Sequence, residues 1–309
     1  MKHVLQVIDL LDNSKIPDEK IKEMLYEFGV ENIKITHLAG SRGKTSFIKI
    51  LIPGKNGKEY NGTAPTLGII GRLGGVGARP EVIGIVSDAD GAIIALACAL
   101  KLGESRKRGD ILEGDVIITT HITPNAPIRP HKPVPFMDSP IDMTEMLKHE
   151  VDPKMDAILS VDATKGNRVI KVHGFAITPT VKDGWILKVS DDLINIYERV
   201  TGDIAAVVPI TMQDITPYTN NVYHINSIMQ PWLMTNAPVV GVATTARVPI
   251  PGCGTGANYI LGLEQATRFC IEVAKEFTNG KCKFYDEKEF KILTKLYGNL
   301  GKIFRENLK

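Results

Sequence analysis

Three short apolar runs each end in a residue that could do chemistry. Gly84-Ile85-Val86 precedes Ser87-Asp88-Ala89-Asp90-Gly91, Val116-Ile117-Ile118-Thr119-Thr120 precedes His121, and Ala157 to Val161 precedes Asp162. Such runs read as buried strands, and in open α/β sheets ligands sit at the carboxyl ends of strands. Two carboxylates and an imidazole at one sheet edge suit a hard or borderline divalent metal, because carboxylate oxygen and neutral imidazole are both good ligands. Taken singly, each residue reads as a cap for a helix or loop. Taken together, Asp88, His121 and Asp162 make a candidate metal site, and both readings stand.

Two glycine-rich segments invite anion binding. Ala39-Gly40-Ser41-Arg42-Gly43-Lys44-Thr45 has part of a phosphate loop, whose backbone amides cradle phosphates. The full pattern needs glycine five residues before Gly43, where Leu38 stands. The shorter form resembles the nucleotide loop of the Mur ligase family. A helix should then start at Thr45, but Ser46 to Ile52 alternates and is rich in β-branched residues, which favours a hairpin between two strands. The second segment, Pro251 to Asn258, precedes a long amphipathic stretch. It reads as an anion site at a helix N-terminus or as a connector. Cys253 within it has no identifiable base, so its sequence context gives little support for a nucleophile.

The elements that must position these residues follow from periodicity. His3 to Leu11 and the stretch opened by Pro17-Asp18-Glu19 read as amphipathic helices, the second stopped by Gly29. Asn32 to His37, Thr45 to Leu51 and Thr66 to Ile70 read as strands, and Ala92 to Leu102 as a small-residue helix. The proline-rich stretch through Pro140 reads as a long surface loop. Further on, Asp191 to Val200, Val222 to Leu233, Gly262 to Phe277 and Glu287 to Leu300 read as helices, and Ala205 to Ile210 and Val239 to Ala243 as strands. Buried strands alternating with helices predict an α/β fold with a largely parallel sheet covered on both faces. With no internal repeat or low-complexity linker, residues 1–309 are expected to form one three-layer domain.

Composition narrows the partners. The chain has 309 residues, 43% hydrophobic and 23% charged, with a net charge of +2. That balance calls for neither nucleic acid nor an anionic membrane. Cys98, Cys253, Cys270 and Cys282 form no C-x-x-C pair and no zinc-finger spacing. The amino terminus leads into an amphipathic helix, and the longest apolar run is too short to span a bilayer. A soluble protein of the reducing cytoplasm is the expectation, with Cys98 and Cys270 as buried thiols.

On these residues the chain resembles the zinc exopeptidase superfamily, above all its glutamyl aminopeptidase and carboxypeptidase G-like branches. Gly71-Arg72-Leu73-Gly74 falls where Gly-His-Leu-Asp would be, and Asp88-Ala89-Asp90-Gly91-Ala92 matches the bridging-Asp segment. Val116 to Thr120, Ala157 to Asp162, Val239 to Val242 and the helix from Gly262 match later elements in order. The departures concern the metals. Arg72 and Gly74 replace a His and an Asp, His121 to Asn125 contains no glutamate, and no His lies between Val239 and Phe277. The chain also resembles a bacterial domain-of-unknown-function family.

The resemblance implies a three-layer α/β/α sandwich with a mostly parallel mixed sheet, and the lid domain inserted in many members of that superfamily has no room here. It implies a protein that binds, and as a hydrolase cleaves, a small amide, peptide or amino-acid-like ligand. Its site would use one divalent metal, zinc or manganese, on Asp88, His121 and Asp162, or no metal at all. Asn125 would stabilise an oxyanion. Arg72 and Asp90 would bind substrate, with Arg72 reaching Asp88 or an anion beside it through its planar fork. The alternatives are a non-catalytic ligand-binding or assembly protein on the same scaffold, and a nucleotide-binding ligase-like protein using Gly40 to Thr45. A homo-oligomer is expected.

Overall fold

The structure, a computed structural model, describes residues 1–77, 84–212, 216–218 and 221–301. Residues 78–83, between the Gly71–Gly74 and Gly84–Gly91 segments read above, lie outside them. Two amphipathic helices open the chain: α1 (Lys2–Leu11) buries Val4, Val7 and Leu11, and α2 (Asp18–Glu27) buries Ile21 and Leu25. Gly29, at φ 81°, ends the second in the left-handed region that glycine enters without strain. β1 (Asn32–Gly40) and β2 (Gly43–Ile52) then form an antiparallel hairpin in which Gly40 pairs with Gly43. Strand, not helix, follows Thr45, so the hairpin reading of Gly40 to Thr45 holds and the phosphate loop does not form.

The centre of the fold is built next. β3 (Leu67–Gly71) leads to β4 (Gly75–Val76), a 3-10 turn (Ser87–Ala89) and α3 (Asp90–Lys107). β5 (Val116–Pro124) is followed by the small hairpin β6 (Ile128–Arg129) and β7 (Phe136–Met137), then by α4 (Met143–Glu150). β8 (Ala157–Ala163), β9 (Gly174–Ile177), β10 (Val181–Lys182), β11 (Trp185–Ile186) and α5 (Asp191–Thr201) come next. A 3-10 segment (Ser227–Met234), β12 (Val239–Thr245), α6 (Ile260–Thr278) and α7 (Glu287–Tyr297) complete the described chain.

Ten strands make one mixed sheet in the order β1-β2-β5-β3-β8-β12-β10-β11, with β4 on β5 and β9 on β12. The central four, β5, β3, β8 and β12, run parallel, and the outer pairs are antiparallel. This is an α/β fold with helices flanking a mixed sheet. One face carries α1, α3, α5 and α6 over Ile69, Ile118, Leu159 and Val242. The other carries α4 and the 3-10 segment over Ile70, Ile117, Ile158 and Ala243. α3 is buried almost all round because it lies between the sheet and α1 and α6, which is why it is made of Ala, Ile, Leu and Cys. Cys98 and Cys270 are buried thiols within that layer.

Five expected elements differ. Gly84 to Val86 is not a strand: Gly84 turns at φ 87°, and Ile85 and Val86 make only single bridges, to Val76 and Thr255. Asp88 therefore enters from a 3-10 turn, and α3 begins at Asp90, before Ala92. Ala205 to Ile210 makes one bridge, Val207 to Ile177, and Pro209 has no N–H to extend a ladder. The helix expected over Val222 to Leu233 is a 3-10 segment starting at Ser227, with Pro231 inside it. β5 runs past Thr120 to Pro124, so His121 lies within a strand and not after it.

Candidate functional site: the crevice between β3 and β8

The chain leaves β3 through α3 for β5 on one side, and leaves β8 through α5 for β12 on the other. Strand order thus reverses between the neighbours β3 and β8, and the crevice outside their carboxyl ends is where ligands bind in such sheets. Arg72 follows β3 directly, and Asp162 is the penultimate residue of β8. Glycines let α3 close on this edge. A methyl group on Gly91 would run into the backbone of Arg72 and the carbonyl of Val161, and one on Gly71 into the carbonyl of Gly91. Leu73, between them, is held at φ 62°, a conformation costly for a residue with a branched side chain.

Two adjoining cavities open here. The larger, about 980 Å³, is lined by Asp88, Asp162, Thr164, Arg168, Thr211 and Tyr223 among others. The smaller, about 400 Å³, is lined by Arg42, Arg72, Arg129, Asp138 and Gln230 among others. Leu73, Asp162 and Ser227 belong to both walls. A third cavity of about 990 Å³ lies at the opposite, amino-terminal edge against Pro65, Met155 and Pro238, away from these groups.

Asp88 and Asp162 are brought together on the larger cavity. The Asp88 amide donates to the carbonyl of Gly252 (3.0 Å), and the Ser87 amide to that of Gly254 (2.8 Å). A side chain on Gly252 would strike the Asp88 carboxylate, so the second glycine-rich segment is a loop packed against the 3-10 turn. Burial and the Asp88 charge push the Cys253 thiol up, against its own backbone hydrogen bond, which makes it a poor nucleophile.

The other sequence candidates go elsewhere. Asp90 lines neither cavity. Its Oδ2 lies 2.6 Å from Lys165 Nζ and accepts from Thr244 Oγ1 (2.7 Å), and its Oδ1 accepts from Asn258 Nδ2 (2.7 Å). Asn125 is exposed at φ 52° and also lines neither cavity. His121 points to the α4 face, fully enclosed, with its ring 5.1 Å from that of Phe47 and Nδ1 4.0 Å from Glu150 Oε1. Burial, and then the Arg72 charge, lower its pKa to about 3, so the ring is neutral. Among the described residues no three His, Cys, Asp or Glu side chains are grouped to hold a metal ion.

Arg72 does not reach Asp88. Nε lies 3.3 Å from Glu150 Oε2, Nη1 donates to the Ser227 carbonyl (2.5 Å), and Nη2 donates to Gln230 Oε1 (2.8 Å). Burial raises the Glu150 pKa and the guanidinium opposes that rise. Sequence reasoning missed Glu150, because nothing between Pro140 and Asp156 was read as an element. It also missed Lys165, whose position three residues after Asp162 was its only signal.

No helix among the described residues is long and apolar enough to cross a membrane. No curated protein matches the chain, so the resemblance to zinc exopeptidases finds no support there. A family model described as a protein of unknown function (DUF1177) does match, over residues 36–307, and the chain belongs to that family.

Proposed function

We propose that the crevice between β3 and β8 binds a small dipolar molecule, an amino acid or a short peptide. The observation that carries this reading is that Asp88 and Asp162 line one cavity with Arg168 and Lys132 on its walls. Carboxylates inside and cations at the rim complement a ligand that carries an ammonium at one end and a carboxylate at the other. A cavity of about 980 Å³ is ample for such a ligand. Thr164, Thr211 and Ser227 add hydroxyls and Asn167 an amide to its walls, the kind of polar groups that fix orientation.

A second reading is a metal-dependent amide hydrolase, favoured by the same pair of carboxylates, since these oxygens suit hard divalent cations. His121 is not offered as a ligand in it, because its ring faces Glu150 and Phe47.

Thermal shift and isothermal titration with amino acids and dipeptides, with and without zinc or manganese, test both. The first reading expects saturable binding that Asp162→Asn weakens, without added metal. Binding that requires the metal, with release of free amino acids from dipeptides, favours the second. No binding of any of these probes overturns the first.

A further inference from the structure

The smaller cavity carries a feature that the binding reading does not use. Arg42 Nη1 and Arg129 Nε converge on the same oxygen, Asp138 Oδ2, at 2.7 and 2.8 Å. The other oxygen, Oδ1, accepts from the Ser139 amide at 2.9 Å. One carboxylate thus serves two guanidinium groups, and both arginines line the cavity. Arg129 meets Asp138 through Nε, and among the described residues its terminal nitrogens make no hydrogen bond to protein. Those nitrogens form the planar fork that matches a carboxylate.

The site is built by separate elements. Arg42 sits at the tip of the β1–β2 hairpin, in the Gly40 to Thr45 segment that forms no phosphate loop. That tip is fastened: Thr45 Oγ1 donates to the Ile122 carbonyl (3.1 Å), and a side chain on Gly40 would collide with the Pro140 carbonyl. Arg129 ends β6 opposite Phe136, and Asp138 follows β7 with its amide donating to the Pro127 carbonyl (2.9 Å), so the two side chains meet diagonally across the hairpin. Asp162 stands on the wall shared with the larger cavity.

We infer that Arg129, with Arg42, forms a subsite for the free carboxylate end of the ligand, whose ammonium end lies toward Asp162. This rests on the dipolar-ligand reading and adds a direction to it: a peptide with a free carboxyl terminus is preferred over one whose terminus is amidated.

Isothermal titration of the full chain with alanyl-phenylalanine and with its carboxyl-terminal amide tests the inference. The acid is expected to bind about tenfold tighter or more, the scale of one charge-assisted bidentate contact. Arg129→Gln and, separately, Arg42→Gln are expected to bring that ratio close to one while the affinity for the amide stays the same. Both arginines are partly exposed, so either variant is checked for folding by its melting temperature. Equal affinity of acid and amide for the unaltered protein, or a ratio that survives both substitutions, overturns the carboxylate subsite and leaves the dipolar-ligand reading in place. Absence of binding by both probes removes that reading and the subsite together.

Discussion

Arg72 Nε lies 3.3 Å from Glu150 Oε2, with the guanidinium 4% and the carboxylate 0% exposed. The pair ties the carboxyl end of β3 to the last residue of α4, and through Nη1 and Nη2 it also holds the 3-10 segment at Ser227 and Gln230. A charge buried this deeply depends on its partner, because removing one member strands the other away from water. Glu150→Ala is expected to lower the unfolding free energy by about 3–5 kcal/mol, the scale for breaking a buried pair from one side. Replacing both residues together, Arg72→Met with Glu150→Leu, is expected to cost less than Glu150→Ala alone. Urea unfolding of the two variants decides; a larger loss in the double variant would mean that packing and not charge holds this joint.

His121 sits beside that pair, and burial together with the Arg72 charge holds its pKa below that of a surface histidine. Its folded pKa, about 3, lies below the ordinary value of 6.5, so between these values the unfolded chain binds a proton that the folded chain refuses. The contribution of the neutral ring is fully present above the ordinary value and is lost as pH falls toward the folded one. The stability of the unaltered protein relative to His121→Phe should therefore drop as pH is lowered from 7 to 4, at a slope approaching about 1.4 kcal/mol per pH unit. Glu150, raised above its ordinary value, works the other way over the range just above pH 4.5. Denaturant midpoints at several pH values read the difference, and a difference independent of pH would show that the ring is solvated in the folded state.

The parts legible in the sequence were those set by local pattern. The α1 and α2 faces, the buried runs of β5 and β8, and the long amphipathic α6 announce themselves by period, and the hairpin at Gly40 to Gly43 by alternation on both sides. Asp88 and Asp162, which line one cavity, were singled out because each follows an apolar run. Which face each side chain takes was not legible. His121 shares with Ile117 and Thr119 the α4 face, and the strand continues for three residues beyond it, so its ring is enclosed and not delivered to the crevice. Arg72 was read against Asp88, sixteen residues on, because it stands where the resembling family carries a metal-binding His. Its true partner comes from a helix seventy-eight residues on, and only tertiary packing brings Glu150 there.

Gly91 tests how tightly α3 must close on the sheet. A methyl group there meets the backbone nitrogen and oxygen of Arg72 and the carbonyl of Val161, none of which can swing aside as a side chain would. Gly91→Ala is expected to destabilise the protein by about 1–3 kcal/mol or more, the cost of overpacking. The same change at Gly109, which has nothing within 4 Å but lies at φ 89°, should cost only backbone strain, about 1 kcal/mol. Melting temperatures in the reverse order would show that the helix can retreat from the strand ends.

Asp90 and Asp162 lie close in the fold, and their substitutions should separate structure from binding. Asp90 is 1% exposed and, among the described residues, is the acidic partner of the buried Lys165, with Thr244 and Asn258 donating to its carboxylate oxygens. Asp90→Asn leaves an ammonium without its counter-charge, and is expected to cost about 3–5 kcal/mol of stability. Asp162 instead faces the wall common to both cavities, where its Oδ1 accepts from the Ala163 amide (2.7 Å). Asparagine keeps that acceptor and removes the charge. Asp162→Asn is therefore expected to cost less stability than Asp90→Asn, which strands a buried ammonium. The affinity of Asp162→Asn for a dipeptide should fall about tenfold, because the ammonium loses its ionic partner. The two variants are compared by urea unfolding and by titration with the same dipeptide. A loss of binding in Asp90→Asn at unchanged stability, with Asp162→Asn binding normally, would move the ammonium site from the crevice to the α3 terminus.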